Sequence, residues 1–535
     1  MNRRQFIQLT TLAGAGTALP LSSNLFADGA EPAAPHIRRF DLEEATIPQL
    51  QGLMASGKES AASLVKKYLR RIDEIDHRGP CLHAVLGLNP DAMAIARDLD
   101  YERKSKGPRG SMHGIPVLIK GNIGTHDKMD TNAGSLALAG SIPPQDSFVA
   151  ERLRASGAVI LGKANLSEWA NYRGDRSSSG WSACGGQTKN PYVLDRNPSG
   201  SSSGSAAGVS ANLCAVAVGT ETDGSIISPS ALCGVVGIKP TVGLVSRSGI
   251  VPISHSQDTA GPIARTVTDA AILLGALTGV DPLDAATDPS RGHARTDYAR
   301  LLDGNGLQGA KLGVARRYFR SGTVSEKVLA AALDSLKRLG ATLVDITEDI
   351  ARVGNSEGTV MQYEFKADMN AYLASLGPYA PVHSLEDIID FNNRHADREL
   401  KFFGQQEMIR AQARGPLTEQ AYLDALERCR RLSRAEGIDA MMAKYEIDAI
   451  VAPSGGPAGT TDLVYGDRDA GGSSSPAAVA GYPNITVPAG QVLGLPVGLS
   501  FFGRAWSEPV LLKFAYAFEQ GTHARTPPKF LPTVG

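Results

Sequence analysis

The chain has 535 residues, 42% of them hydrophobic and 20% charged, with a formal net charge of −1. That length buries a large core, and the charge balance provides no bulk attraction to nucleic acid or to an anionic membrane. No repeat, charge block or Pro/Ser-rich linker divides the chain, and its 58 glycines are spread along it, so one large domain behind a short N-terminal leader is expected.

The leader, Met1-Asn2-Arg3-Arg4-Gln5-Phe6-Ile7, sets an arginine pair before the moderately apolar run Leu9 to Leu21 and small residues up to Ala27. This layout resembles a twin-arginine export signal, and the run is too short and too rich in Gly and Thr to span a bilayer. Residues 1–27 are therefore read as the signal and 28–535 as a single folded domain. The expectation is a periplasmic or secreted protein that meets the export machinery transiently and keeps no membrane contact after cleavage.

From Ala45 a helical period puts Leu50, Leu53, Leu64, Tyr68 and Ile72 on one side and Lys66, Lys67, Arg70 and Arg71 on the other. Ser63-Leu64-Val65-Lys66 matches the S-x-x-K of serine β-lactamases, but no S-D-N or K-T-G follows, and the segment reads as scaffold. A strand over 81–88 and a helix over 90–104 lead into Gly114-Ile115-Pro116-Val117-Leu118-Ile119-Lys120. Four apolar residues carry Lys120 to the end of a buried strand, where a lysine is either a snorkelling cap or a desolvated, neutral base.

A helix over 147–156 and a strand over 158–161 follow. Residues 157–163 fit G-x-x-x-x-G-K, yet Ala164 stands where a phosphate loop needs Ser or Thr and the four middle residues read as strand, so Lys163 is structural and no nucleotide binds. Between Asn197 and Thr241 two Ser/Gly loops, at 200–205 and around Ser225, flank a small-residue helix and an apolar strand. Such loops are often mere turns. Residues 200–204 also satisfy G-x-S-x-G, but that nucleophile elbow must follow a buried strand, and 194–199 is a polar loop broken by Pro198.

Strands are expected at 311–315, 341–346, 448–452, 483–488 and 495–503, with helices at 327–339, 418–444 and 509–520. The stretch of about 357–414, rich in Tyr, Phe, Asn and Gln, reads as a substrate-facing cap. Its aromatics are core or pocket lining, and Tyr363, Phe365 and Phe403 are the substrate-binding candidates, with Ser202. The five cysteines form no C-x-x-C pair and no zinc-like spacing. Cys81, Cys214 and Cys233 lie in apolar runs and read as buried, and any pairing is not legible.

Gly200-Ser201-Ser202-Ser203-Gly204, Gly219-Thr220, Asp223-Gly224-Ser225-Ile226 and Gly237-Ile238-Lys239-Pro240-Thr241 together resemble the central motif of the amidase-signature hydrolases in order and spacing. The resemblance extends through 113–120, 162–170 and 256–262 to Ala480-Gly481-Tyr482-Pro483, with the signature core at about 110–265. It implies an α/β fold, a central mixed twisted sheet covered by helices on both faces. It also implies Ser225 as nucleophile, Ser201 after a cis peptide bond as proton bridge, Lys120 as base, and an oxyanion hole of backbone N–H groups at Thr222, Asp223, Gly224 and Ser225. No metal or cofactor is implied.

Where many members carry Arg after Gly-Gly-Ser-Ile, this chain has Ile227. The variant Thr220-Glu221-Thr222-Asp223-Gly224-Ser225-Ile226, with Ser167-Glu168-Trp169-Ala170-Asn171 and Ser179-Gly180-Trp181-Ser182, is similar to the peptide amidase branch. That branch implies removal of ammonia from the C-terminal amide of peptides. The alternatives are a broad amidase for small aryl or aliphatic amides, a subunit of a glutamyl-tRNA amidotransferase, which the leader disfavours, and a non-catalytic peptide-binding protein, which the presence of all three triad residues disfavours. The oligomeric state is open.

Overall fold

The computed structural model describes residues 37–468 and 471–534, so the expected signal at 1–27 lies outside the described residues. Eleven strands form one mixed sheet: β1 (Val85–Leu88), β2 (Pro116–Lys120), β3 (Val159–Ala164), β4 (Val216–Glu221), β5 (Val236–Lys239), β6 (Thr259–Ala264), β7 (Lys311–Ala315), β8 (Thr342–Ile346), β9 (Ala449–Gly455), β10 (Asn484–Val492) and β11 (Leu495–Phe502). Their spatial order is β1-β3-β2-β4-β6-β5-β10-β11-β9-β7-β8. The trio β3-β2-β4 and the trio β9-β7-β8 are parallel, and the antiparallel strands lie between them and at the β1 edge. In β2, β3, β4 and β6 every residue is buried, which explains their continuous apolar runs without alternation: helices flank the sheet, leaving no wet face.

The helical period after Ala45 is two helices, Ile47–Ala55 and Ala61–Ile72, because Thr46 and Ser60 each open a capping box. Ser63 of the S-x-x-K match closes the second box, accepting from Ser60 N at 2.8 Å. The helix expected over 418–444 is likewise two, Gln420–Ser433 and Asp439–Lys444, separated by a π-type turn in which Gly437 leaves helical geometry. All five cysteines are free. Cys214, Cys233 and Cys429 are buried, whereas Cys81, expected in the core, is only half-buried, because it sits in a turn with φ 53° and its Sγ faces the carbonyls of His77 and Gly79.

The cap region is helical: Ser356–Ser375, Leu385–Arg394 and Gln406–Gln412 are its main elements. Phe365, Met369, Leu373 and Met408 pack there onto Trp169, Tyr172 and Ile253. A buried charge cluster fastens the cap to the body. Arg173, with no exposure, binds the Glu168 carboxylate, donates to Glu399 O at 2.6 Å and to Phe403 O at 3.1 Å, and stacks on Phe403 at 4.1 Å from the ring centre. Removing the guanidinium leaves buried carboxylates without a counter-charge. Arg173→Met is therefore expected to lower stability by about 3–5 kcal/mol, measured as a shift of the urea unfolding midpoint.

Candidate active site

Lys120 is the last residue of β2. The parallel pairing of β2 with β4, with Ile119 opposite Val218, brings the C-terminal ends of both strands to the same edge of the sheet. Lys120 Nζ, fully buried, lies there 2.7 Å from Ser201 Oγ, 2.9 Å from Thr220 Oγ1 and 3.1 Å from Thr220 O. Asn122 Nδ2 donates to the same Thr220 hydroxyl at 3.0 Å. Desolvation pushes the Lys120 pKa down to about 7, against the raising influence of Asp258 and Glu221. A neutral amine has two N–H donors and one lone pair. The Thr220 carbonyl can only accept and takes one N–H, and the Thr220 and Ser201 hydroxyls, each able to accept or donate, are the other partners of the amine.

Ser201 is delivered by the loop ahead of helix Ser203–Ser210, and the Gly200–Ser201 peptide bond is cis. A side chain at position 200 would collide with Ser167 Oγ and Ser203 Oγ, so the close approach of this loop to the body requires glycine. Ser202 ties the loop to both neighbours. Its N–H donates to Ser225 O at 3.1 Å, and its hydroxyl donates to Thr220 O at 3.0 Å and accepts from Thr220 N at 3.2 Å.

Beyond β4 the chain turns through Thr222–Asp223–Gly224–Ser225, with Gly224 at φ 78°. Glu221 braces the turn from below, accepting from Ile226 N at 2.7 Å and Ile227 N at 2.9 Å. The Asp223 carboxylate accepts from Ser474 Oγ and Ser475 Oγ, each at 2.6 Å. The backbone N–H groups of Asp223, Gly224 and Ser225 donate to no other described residue. Ser225 itself is 8% exposed. The arrangement presents Ser225 at a turn with free amide donors, tied through its carbonyl to the loop whose Ser201 hydroxyl meets a buried amine.

A cavity of about 500 Å³ adjoins this edge. Asn122, Thr220 and Thr222 form its inner wall, Ile250, Val251 and Ile253 one side, and Asp368, Ala371 and Tyr372 of the cap helix the other. Asn122 Oδ1 and Tyr372 OH, on two of the lining residues, are buried with no partner among the described residues.

None of the substrate-facing candidates lines this cavity. Phe365 is core, Tyr363 packs on Tyr422 and bonds Glu419, Phe403 is the stacking face of Arg173, and Ser202 is the clasp just described. The helix Ser356–Ser375 presents other residues to the cavity, among them Asp368, Ala371 and Tyr372. Lys163 is spent on Ile123 O and Thr131 Oγ1, consistent with a structural role. Sequence reasoning missed Asn122, Gln257, Asp258 and His255 as supports of the site. Only Gln257 and Asp258 lay within a matched stretch, and their partners lie elsewhere in the chain. His255, Glu364 and Asp368 bring potential ligand atoms within 4.8 Å of one another, but these atoms are engaged with each other and with Ser254, Ser256 and Tyr422, as an ion-pair cluster.

The family model described as Amidase matches residues 63–512. A peptide amidase solved with the competitive inhibitor chymostatin is 49% identical, covers 91% of this chain and 100% of its own, and superposes with a TM-score of 0.88. The native peptide amidase of Stenotrophomonas maltophilia is 48% identical, with 92% and 99% coverage and the same TM-score of 0.88. A protein of Arabidopsis thaliana named as a probable amidase is 44% identical over 503 residues, 92% of this chain and 93% of that one.

The Lys120 environment has a direct spectroscopic consequence. In a side-chain ¹⁵N titration with Lys120→Met for assignment, the Lys120 amine is expected to lose its proton near pH 7, while exposed lysines titrate near the ordinary value of about 10.4.

Proposed function

The chain belongs to the amidase family, and from that membership we propose that it hydrolyses the C-terminal carboxamide of peptides to a carboxylate and ammonia, with Ser225 as nucleophile, Ser201 as proton bridge and Lys120 as base. The observation that carries the reading is the buried, neutral-leaning Lys120 amine 2.7 Å from Ser201 Oγ, at the edge where Ser225 sits among unpaired amide donors. Ser225 Oγ bonds to the substrate carbonyl carbon as its proton passes to Ser201 and that of Ser201 passes to Lys120 Nζ. The developing oxyanion is met by the N–H groups of the turn, whose backbone Gly224 lets converge. The same relay returns a proton to the nitrogen as the C–N bond breaks, ammonia departs, and water attacks the acyl-enzyme by the reverse route.

The choice of a peptide substrate is supported by the peptide amidases at 48–49% identity and by the cavity. Its apolar walls suit side chains, and Asn122 Oδ1 and Tyr372 OH suit a peptide backbone. Preference for a terminal carboxamide has a physical form: on the leaving side the site needs to hold only ammonia, so closure there rejects a continuing chain.

The test is ammonia release from a dipeptide amide and from a simple aryl amide. Release chiefly from the dipeptide amide is expected, blocked by chymostatin and reduced at least about 10³-fold in Ser225→Ala. Preference for the aryl amide would retain the mechanism and overturn the substrate, and an active Ser225→Ala would overturn the triad. Because the base works only when neutral, the rate is expected to rise with pH through about 7 as Lys120 loses its proton, and to be lost below that.

A further inference from the structure

Five consecutive residues between β5 and β6, Ser254 to Asp258, form a strap that holds two elements distant in the chain. On one side they grip the cap helix Ser356–Ser375. The buried Glu364 carboxylate accepts from Ser254 Oγ at 2.5 Å, Ser256 N at 3.0 Å and Ser256 Oγ at 2.9 Å. His255 sets Nδ1 2.9 Å from Asp368 Oδ2 and Nε2 3.3 Å from Glu364 Oε1, and its backbone N–H donates to Asp368 at 2.9 Å. On the other side the strap holds the Thr222 turn. Gln257 Nε2 donates to Thr222 O at 3.3 Å and to Glu357 Oε1 at 3.0 Å, and Thr222 Oγ1 donates to Asp258 Oδ1 at 2.5 Å.

A trans peptide unit is planar, with its C=O and the following N–H pointing in opposite directions. The grip of Gln257 on Thr222 O therefore aims the Asp223 N–H, one of the donors with no acceptor among the described residues. We propose that His255 is a positioning residue: by bridging Glu364 and Asp368 it seats the cap helix on the strap, and the strap aims the Asp223 N–H at the reacting carbonyl oxygen. This rests on the reading of Ser225 as the nucleophile of amide hydrolysis.

His255 is 42% exposed at its side chain, and an ion pair that exposed contributes little to global stability, so its effect belongs in turnover. The charged groups facing it are Glu364 and Asp368 from the cap helix and Arg247, which donates to the His255 carbonyl and is itself paired with Asp284. Burial on its own would lower the imidazole pKa. The Asp368 hydrogen bond and the charges of Glu364 and Asp368 outweigh burial and Arg247, and the net shift is upward. The bridge is therefore complete while His255 is protonated and weakens as pH rises through that raised value, giving the wild type a falling alkaline limb opposite in sign to the Lys120 limb.

The experiment measures kcat and KM for a dipeptide amide across neutral and alkaline pH in the wild type, His255→Gln and Asp368→Asn, with urea unfolding of each. The expected result is a kcat lowered by roughly tenfold, less than the ~10²–10³-fold cost of deleting an oxyanion donor, with KM and the unfolding midpoint little changed and the alkaline limb absent from His255→Gln. An active wild type whose variants keep its kcat and alkaline limb would overturn the inference alone. A kcat loss that tracks loss of stability and leaves the limb in place would also overturn it, reducing His255 to a structural contact. A wild type inactive on every amide would remove the functional reading and this one with it.

Discussion

The dehydration of one amine organises the site. Lys120 has no exposure at the end of a strand buried along its whole length, and an ammonium there has lost the water that would stabilise its charge. Two carboxylates, Asp258 and Glu221, act to keep it charged, yet burial prevails. Thr220 holds that amine from two sides, with its carbonyl and with its hydroxyl. Asn122 steadies that hydroxyl from the cavity side, so the wall of the cavity and the buried amine share one hydrogen-bonded residue.

Placing two serines near that amine demands close approach of backbone. The serine loop and the Ser225 turn are linked through Ser202, which bonds the carbonyls of both Ser225 and Thr220. Residues 203–210 form a helix of Ser, Gly, Ala and Val only, all buried, and that lack of bulk lets the loop lie against the sheet edge. The abundance of serine and glycine here serves packing as much as chemistry. Of the adjacent serines 201, 202 and 203, only Ser201 reaches Lys120.

The cap is fastened to the body by charge as well as by apolar packing. Arg173 with Glu168 and Glu399 forms one anchor inside the protein, and the strap at 254–258 forms another at the edge of the cavity. Buried polar groups of this kind are costly when unpaired and directional when paired. They define where the cap sits, which the Phe365 and Met369 cluster alone would leave free to slide.

The sequence by itself determined the local and the motif-borne features. β7 begins and ends at the residues expected, because an apolar run bounded by turn residues carries its own limits. The strand ending at Lys120 was legible for the same reason, and Ser201 and Ser225 were singled out by spacing within a matched stretch. Tertiary structure decided which face of each element is used. The cap helix is engaged on several sides, with Tyr363 toward Tyr422, Phe365 toward Tyr172, and Asp368 and Tyr372 toward the cavity, so no single apolar stripe shows which residues face a ligand. The bonds of Glu364 to Ser254 and of Gln257 to Glu357 join residues 100 or more positions apart. Polar pairs at such separation leave no periodic trace in the chain, because the geometry that joins them exists only once the sheet and the cap have come together.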